Sequence, residues 1–440
     1  MKSWLARRTP AEWLTALLAA AFLLTFGWAL YFQIVPQVDA AHYESISSNI
    51  AAGDGYRMVA GTPLASDDAI ASVGPLYEFF LALLLRVFHF QLAFVWLAQA
   101  LLDVATGFLL FLTARRAFGK ADGEYMGLIA AGLYLFCIDI VQMPAMLMTE
   151  TLYLFLIAFT TYLFVRLYQE PGYANAALLG VAGAFAVLTR PTALLMLILV
   201  FIAALALRRY KQAAALLFCS VLVIAPWTLR NYFVYHSFIL TTAAGGYDLW
   251  MGNNAGADGG AHPTPEIVAY AASHTFTQTA AYGDAQFKQF IFGHPLAETK
   301  LLAEKTIAYA SVARPYAFWF YLSGLAQKIV LVWSAAWSFI LFSLGLAGAW
   351  LLWESKQPLY RWLLALAVLM PASVIPIIVE TRYRLPLYPF LALFAGYFAV
   401  RLYRDRSLSK VLGVAAALIV ADAAVDGASH LGLILDRLGL

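Results

Sequence analysis

Four short polar segments of an otherwise apolar chain contain the residues that could do chemistry. They hold acids, arginines and a few other polar side chains, namely Asp39, Tyr43, Glu150, Arg190, Arg230, Asn231, Arg382, Tyr383 and Arg384. A carboxylate can take a proton from an attacking hydroxyl group. An arginine can hold a phosphate through two parallel hydrogen bonds and stays charged. Acids beside arginines therefore suit the transfer of a group away from a phosphate.

Most of these residues also have a structural interpretation. Asp39 could be a solvated loop acid, and Glu150 could stabilise the first turn of a helix through the helix dipole. The arginines could extend to lipid phosphates, and Arg382 and Arg384 could pair with Glu380. The sequence leaves these alternatives open.

The composition excludes a soluble protein. Of the 440 residues 63% are hydrophobic and 12% are charged, whereas soluble proteins carry about 25% charged residues. With a mean hydropathy of +0.76, the chain is predicted to be an integral membrane protein, and no nucleic-acid partner is expected. Cys137 and Cys219 both lie in apolar runs, and five of the histidines, His42, His236, His262, His274 and His294, are scattered without ligand spacing. No metal site and no cofactor are predicted.

The apolar runs predict an all-α polytopic membrane protein. A spanning helix needs roughly 20 apolar residues. Eleven runs fit this length to within a few residues: about 13–35, 91–114, 125–143, 150–168, 174–189, 192–207, 212–228, 330–353, 360–379, 385–402 and 410–424. The first follows Lys2, Arg7 and Arg8 without a cleavage site, so we expect an uncleaved helix with a cytoplasmic N-terminus.

One membrane domain, 1–440, is expected to carry two large outer loops. They cover 36–90, with an interfacial helix at 75–89, and 230–328, with a partly amphipathic helical stretch at 284–312. In this threading the basic clusters are cytoplasmic, as the positive-inside rule requires: Arg115/Arg116/Lys120, Arg208/Arg209/Lys211 and Arg401/Arg404/Arg406. All four polar segments then lie at the outer face. No Asn-x-Ser/Thr sequon is present, which is compatible with a bacterial inner membrane.

Acids and arginines at a membrane surface suit sugar transfer from a lipid-linked phosphate donor. Asp39 would take the proton of an acceptor hydroxyl as that oxygen attacks the anomeric carbon. Phosphate is already a good leaving group, and arginines would stabilise its departing charge. The hydrocarbon tail of the donor would lie in a groove among the spans.

At these residues the chain resembles the polyprenyl-phosphate-sugar-dependent glycosyltransferases with the GT-C fold, which are similar to glycosyltransferase family 39. It is most similar to the branch of protein O-mannosyltransferases and the lipid A aminoarabinose transferase. The matching segments run in family order: 39–43 with 53–56, 74–77, 149–150, 188–191, 226–232, 245–253 and 382–386.

The resemblance implies an inverting membrane glycosyltransferase. It makes Asp39 the base or the carboxylate that orients the acceptor, with Glu150 as a second acid, and the outer arginines ligands of the donor phosphate. Two features depart from the family pattern: Val73-Gly74 stands where some members have Glu-Lys, and Glu150 stands where the named branches usually have Asp. The sugar therefore stays open, and so does the acceptor, which could be a glycolipid, a glycan or a protein.

The rival interpretation is a transporter or flippase of lipids or glycolipids. Transporters often have related halves and polar groups near the middle of the membrane. This sequence has no internal repeat, and its polar segments are predicted at one face. Transfer at the periplasmic face of a bacterial inner membrane is therefore the leading hypothesis.

Overall fold

The computed structural model describes residues 9–67, 69, 74–313 and 321–429, and within them the chain is helical and forms no strand. Lys2, Arg7, Arg8 and Val73 lie outside the described residues. The first nine helices are α1 Pro10–Phe32, α2 Asp39–Ala52, α3 Leu76–Val87, α4 Leu92–Ala117, α5 Lys120–Leu135, α6 Ile138–Val141, α7 Glu150–Gln169, α8 Tyr173–Thr189 and α9 Leu194–Ala206.

Nine more helices follow in the described residues. They are α10 Tyr210–Tyr235, α11 Ala244–Gly252, α12 Pro265–Ser273, α13 Phe276–Gly293, α14 Pro295–Ala310, α15 Gly324–Glu354, α16 Pro358–Ala372, α17 Tyr388–Arg404 and α18 Ser409–Ser429. Short 3-10 turns at Pro191–Ala193 and Thr381–Leu387 lead into α9 and α17. Arg190 of the predicted site stands directly before the first turn, and Arg382, Tyr383 and Arg384 lie in the second.

The multi-pass, all-α architecture is confirmed, but the number of eleven spans is not. Among the described residues seven helices are long and apolar enough to cross a membrane. An eighth span results if α5 and the segment Ile138–Ala145 form one broken helix, bent by 62°. The helices α8, α9 and α16 are apolar but shorter.

Two predicted spans were wrong in extent. The span 125–143 breaks after Leu135, and the next segment carries a fully buried Asp139, which accepts a hydrogen bond from the Ser334 hydroxyl group at 2.6 Å. The span 360–379 ends at Ala372. Pro371 in its last turn has no N–H to donate, and the residue before Pro376 is driven away from helical angles. The freed segment 373–380 reaches the predicted site.

Helix α17 is the centre of the bundle, because every residue from Tyr388 to Phe398 is buried. It packs along α15 and α5, while α4 packs on α1, α5 and α7, and α8 packs on α7 and α10. A methyl group on Gly396 would overlap the carbonyl oxygen of Met126, so this glycine allows α5 and α17 to touch through their backbones. The segment ahead of α17 is thereby fixed in position.

Helix α3 has the exposed apolar face of the predicted interfacial helix, but its acid, Glu78, is buried. Phe79, Leu83 and Val87 form an exposed apolar stripe, as an interfacial helix requires. Glu78, however, is fully buried against the protein, and Arg86 donates a 2.7 Å hydrogen bond to the carbonyl oxygen of Ala51. Burial raises the pKa of Glu78 to about 8. Arg86 therefore attaches α3 to α2.

Candidate active site

Asp39 and Arg382 form an ion pair between the start of α2 and the turn ahead of α17. Their Oδ2 and Nη1 atoms are 2.7 Å apart. Asp39 is the first residue of α2, and Val38 before it has a φ of +50°, which is strained for a β-branched residue. Strain of this kind persists only where the surrounding structure imposes it, and it is common at functional sites.

Arg190 holds the second acid. Its Nε donates to the Thr149 hydroxyl group and its Nη2 to Oε1 of Glu150, both at 2.8 Å. Pro191 forces Arg190 out of the helix into an extended conformation, which turns its side chain toward the start of α7. Both partners of this ion pair are buried. The third guanidinium nitrogen, Nη1, makes no hydrogen bond to the described residues and is left for a ligand.

Tyr383 joins the two ion pairs. Its ring lies 5.7 Å from the guanidinium carbon of Arg190 and 5.3 Å from that of Arg382. Such distances allow cation–π attraction to both arginines. The structure thus brings Asp39, Glu150 and two arginines, predicted from separate segments, to the meeting ends of four helical elements.

A polar cavity of about 590 Å³ opens beside the Asp39–Arg382 pair. Its wall includes Asp39, His42, Tyr43, Arg190, Arg382 and Tyr383. Tyr43 is buried and packs edge-on against Tyr77 at 5.6 Å. Pockets of this size hold small ligands in proteins, so this polar cavity has room for a sugar.

A second, more apolar cavity of about 210 Å³ lies on the other side of Arg190. Met370, Val374, Ile377 and Ile378 form its apolar wall. The two cavities share a dividing wall made of Arg190, Ala244, Asp248 and Tyr383. A ligand that reaches from one cavity to the other would pass these four residues.

An apolar groove of about 420 Å³ lies next to the smaller cavity, between α9 and α10. It is lined mainly by aliphatic side chains. Among them are Leu194, the first residue of α9, and Leu240, in the segment that follows α10. Two residues away on the same segments, Thr192 and Thr242 line the smaller cavity. The groove and the smaller cavity are therefore adjacent.

Arg230 and Asn231 lie elsewhere. They belong to the last turns of α10, which continues past its predicted end at 228. Arg230 packs on the Trp227 and Tyr56 rings at 4.8 and 5.5 Å. The Asn231 amide donates to the carbonyl oxygens of Ile239 and Thr241. Neither residue lines the two cavities, and Asn231 instead shapes the segment that borders the groove.

Arg384 is also separate from the Asp39 site. Its side chain is 1% exposed, and it donates to the Ser311 carbonyl oxygen at 2.6 Å and to the Tyr388 hydroxyl group at 3.0 Å. It lines neither cavity, although it is only two residues from Arg382. The 3-10 turn between them directs the two guanidinium groups to different clusters.

Asp248 is the main cavity residue that sequence reasoning missed. It stands in the segment 245–253, which carried the family resemblance through its glycines, Trp250 and Asn253 rather than through this acid. Its burial, next to Asp39 but also to Arg382, raises its pKa to about 7. Within the part of the chain that the structure describes, no three His, Cys, Asp or Glu side chains are placed to hold a metal ion.

The fold and these ion pairs together define the class of protein. It is a multi-pass membrane protein with acids and arginines gathered at helix ends. Residues 72–229 match the family described as dolichyl-phosphate-mannose-protein mannosyltransferase. No curated protein is significantly similar to the chain in sequence.

Solved structures show the fold. The archaeal oligosaccharyltransferase AglB from Archaeoglobus fulgidus, in complex with an inhibitory peptide and a dolichol-phosphate, aligns over 94% of this chain and 55% of its own, with 13% identity and a TM-score of 0.51. An Archaeoglobus fulgidus oligosaccharyltransferase tethered to an acceptor peptide with an NVT sequon aligns over 96% of this chain and 54% of its own, with 13% identity and a TM-score of 0.52.

ArnT from Cupriavidus metallidurans, bound to undecaprenyl phosphate, aligns over 91% of this chain and 80% of its own, with 15% identity and a TM-score of 0.41. The chain spans about half the length of the archaeal oligosaccharyltransferase. Together with the matched segment 72–229, the archaeal structures confirm the GT-C fold that the sequence motifs implied.

Proposed function

We propose that this protein is a glycosyltransferase that moves a sugar from a polyprenyl-phosphate donor to an acceptor hydroxyl group. One observation carries the proposal: Asp39, Arg382 and Arg190 line a polar cavity, Glu150 pairs with Arg190 behind it, and the smaller cavity on the other side of Arg190 adjoins an apolar groove. The groove suits a hydrocarbon tail and the arginines suit a phosphate. The family match at 72–229 supports the same chemistry.

Asp39 is the proposed base. Burial by itself would raise the pKa of Asp39, but Arg382, helped by Arg190 and His42, outweighs burial and holds this pKa below its ordinary value. The carboxylate is therefore ionised and ready at neutral pH, although pairing makes it a weak base. A donor phosphate that draws Arg382 toward itself would loosen the pair and strengthen Asp39 as a proton acceptor.

Arg190 is the proposed main ligand of the donor phosphate, because its Nη1 has no protein partner among the described residues. Glu150 and Thr149 fix the other nitrogens, so Glu150 acts by positioning Arg190. As the acceptor oxygen bonds to the anomeric carbon, the bond to the phosphate oxygen breaks, and the phosphate leaves with the electron pair. Attack from the side opposite the phosphate inverts the anomeric configuration.

The donor tail would lie in the groove between α9 and α10, with its phosphate in the smaller cavity. The sugar would then extend past Tyr383 toward Asp39 and Tyr43 in the larger cavity, where the acceptor enters. For Arg230, Asn231 and Arg384 the contacts described above favour structural roles over phosphate binding.

The outer face is proposed from the basic clusters. Helix α17 begins beside Arg382 and ends at Arg401 and Arg404, and α9 begins just after Arg190 and is followed by Arg208. The site and these clusters therefore lie at opposite ends of the same helices. With the clusters in the cytoplasm, the site faces the periplasm of a bacterial inner membrane, where a glycolipid, glycan or protein acceptor would be met.

Lipids that co-purify with the protein test the proposal. We expect mass spectrometry of the wild-type extract to show enrichment of a polyprenyl phosphate, free or carrying a sugar. Ile198→Trp should reduce this enrichment, because Ile198 lines the groove and is exposed enough to accept a larger ring. Ile202→Trp is the matched control, since Ile202 is equally exposed one turn further along α9 but does not line the groove. Equal polyprenyl-phosphate content in all three extracts would contradict the proposal.

A further inference from the structure

Asp248 lines both cavities but has no role in the reaction proposed above. It lies on the wall that separates the two cavities, together with Arg190 and Tyr383. Its carboxyl group makes no hydrogen bond and no ion pair with the described residues. A donor that extends from the smaller to the larger cavity would pass directly over this group.

The helix that carries Asp248 is held firmly. A methyl group on Gly246 would overlap the carbonyl oxygen of Ala280 on α13, and one on Gly252 would overlap the carbonyl oxygen of Ile377. Backbone contact on both sides of Asp248 therefore fixes α11 between α13 and the segment 373–380. The acid has little freedom to withdraw from the wall when a ligand arrives.

The charges around the wall are already balanced without Asp248. Arg382 pairs with Asp39, and Arg190 pairs with Glu150. An ionised Asp248 is a third acid beside two arginines, and a bound phosphate would add a further negative charge. Two anions in contact in a poorly hydrated site repel each other strongly, so one of them has to be protonated.

We propose that Asp248 binds the donor as a protonated acid: its hydroxyl group donates a hydrogen bond to a phosphodiester oxygen held by Arg190, and donor binding takes up one proton. This inference rests on the proposed function. It adds a donor-binding residue to the site and makes the affinity for the donor depend on pH. Nothing is transferred in this step, because the proton comes from solvent and returns to it when the donor leaves.

The surroundings of Asp248 support this protonation. The other charged or titratable groups that act on Asp248 or share its cavity wall are Arg382, Tyr383, Asp39, His42, Arg190 and, on the same helix, Tyr247. Asp284 and Lys288 of α13 pair with each other at the surface. Desolvation, with a smaller contribution from Asp39 and opposed by Arg382, raises the pKa of Asp248 to about 7. Below this pKa the free site already holds the proton, so binding takes up almost none. Above it, uptake approaches one.

Calorimetric binding of farnesyl methyl phosphate to the detergent-solubilised full-length protein tests the inference. This diester keeps one constant charge over the pH range used, so any proton exchanged belongs to the protein. Repeating each titration in buffers of different ionisation enthalpy gives the number of protons taken up. For the wild type we expect uptake to rise from near zero at about pH 6 to near one at about pH 8, while affinity falls by up to ~10-fold per pH unit above the pKa.

Asp248→Asn imitates the protonated acid, since its amide also donates a hydrogen bond. Over the whole pH range this variant should bind the diester with the affinity that the wild type shows at about pH 6. Its binding should take up no proton and should not depend on pH. His42→Gln, which removes another titratable group of the same cavity, should keep the wild-type uptake. Dimethyl phosphate, a phosphodiester in which a methyl group replaces the farnesyl tail, should bind more weakly but with the same proton uptake.

Binding of the diester without proton uptake, or with the same uptake in Asp248→Asn, would overturn this inference and leave the proposed function standing. Wild-type protein that binds no diester at any pH would overturn both.

Discussion

Arg190 and Arg382 have similar surroundings but different tasks in the proposed reaction. Each arginine pairs with one acid, Glu150 for Arg190 and Asp39 for Arg382. The Arg190 pair is almost completely buried, whereas a third of the Asp39 side chain is exposed to the cavity. A buried pair is costly to separate, so Glu150 keeps Arg190 in place. The more open Asp39–Arg382 pair is the one that a substrate can rearrange.

Arg190→Lys tests the phosphate contact. Lysine keeps the charge but not the planar group that contacts Thr149, Glu150 and a ligand at once. We expect donor affinity to fall about tenfold, as for the loss of one charge-assisted hydrogen bond, with a small fall in thermal stability. Calorimetric binding of a polyprenyl phosphate together with thermal unfolding measures both effects.

The control for this substitution is Arg166→Lys, at the far end of α7, where Arg166 is partly exposed and, within the described part of the chain, pairs only with Glu170. It should leave donor affinity unchanged. Replacement of Arg190 by alanine is less informative, because it leaves the buried Glu150 without its cationic partner at a cost of roughly 3–5 kcal/mol. Wild-type affinity in Arg190→Lys would argue against a phosphate at Arg190.

At the scale of elements, glycine and proline decide where the site residues point. Pro191 ends α8 at Arg190, and Gly74 lies directly against that end. The Gly74 N–H donates to the carbonyl oxygen of Thr189 at 3.2 Å, and a methyl group on Gly74 would overlap the carbonyl oxygen of Leu188. The first loop and the Arg190 turn are therefore one rigid unit.

Gly74→Ala should separate the first loop from the turn at Arg190. The overlap can be relieved only if the loop moves away from α8, and we expect a loss of about 1–3 kcal/mol of stability together with slower sugar transfer. Thermal unfolding and the rate of transfer report the two effects. Gly172→Ala is the matched control, because no atom lies within 4 Å of a methyl group there. A Gly74→Ala protein with wild-type stability and rate would show that the contact does not position the site.

For the whole molecule, the fold was largely predictable because a membrane restricts the choice to apolar helices. The ends of α1, α4 and α7 fall within a few residues of prediction. Interruptions by tertiary contacts were not predictable. The break before Asp139 depends on partners such as Ser334, far away in sequence. Helix α2 could not be predicted from the sequence, because its apolar residues do not recur with a clear helical period.

The site was predictable in part, for a related reason. Residue types marked Asp39, Glu150, Arg190 and Arg382 as chemically capable, and the structure brings all four together. The sequence could not distinguish Arg382 from Arg384, because the direction of each side chain depends on a 3-10 turn. Asp248 was missed because its significance comes from an unpaired position between two cavities, which has no sequence signature.

The rate at which Asp39→Asn transfers sugar is the most direct test of the central claim. The protein, in liposomes supplied with a membrane lipid extract as donor and an envelope extract as acceptor, should release free polyprenyl phosphate, which mass spectrometry quantifies. Asp39→Asn keeps the size of the side chain but cannot accept the proton, so we predict at least a ~100-fold slower release with unchanged detergent behaviour. Asp54→Asn, an exposed acid in the same loop, should release it at the wild-type rate. Release by Asp39→Asn at the wild-type rate would contradict the account.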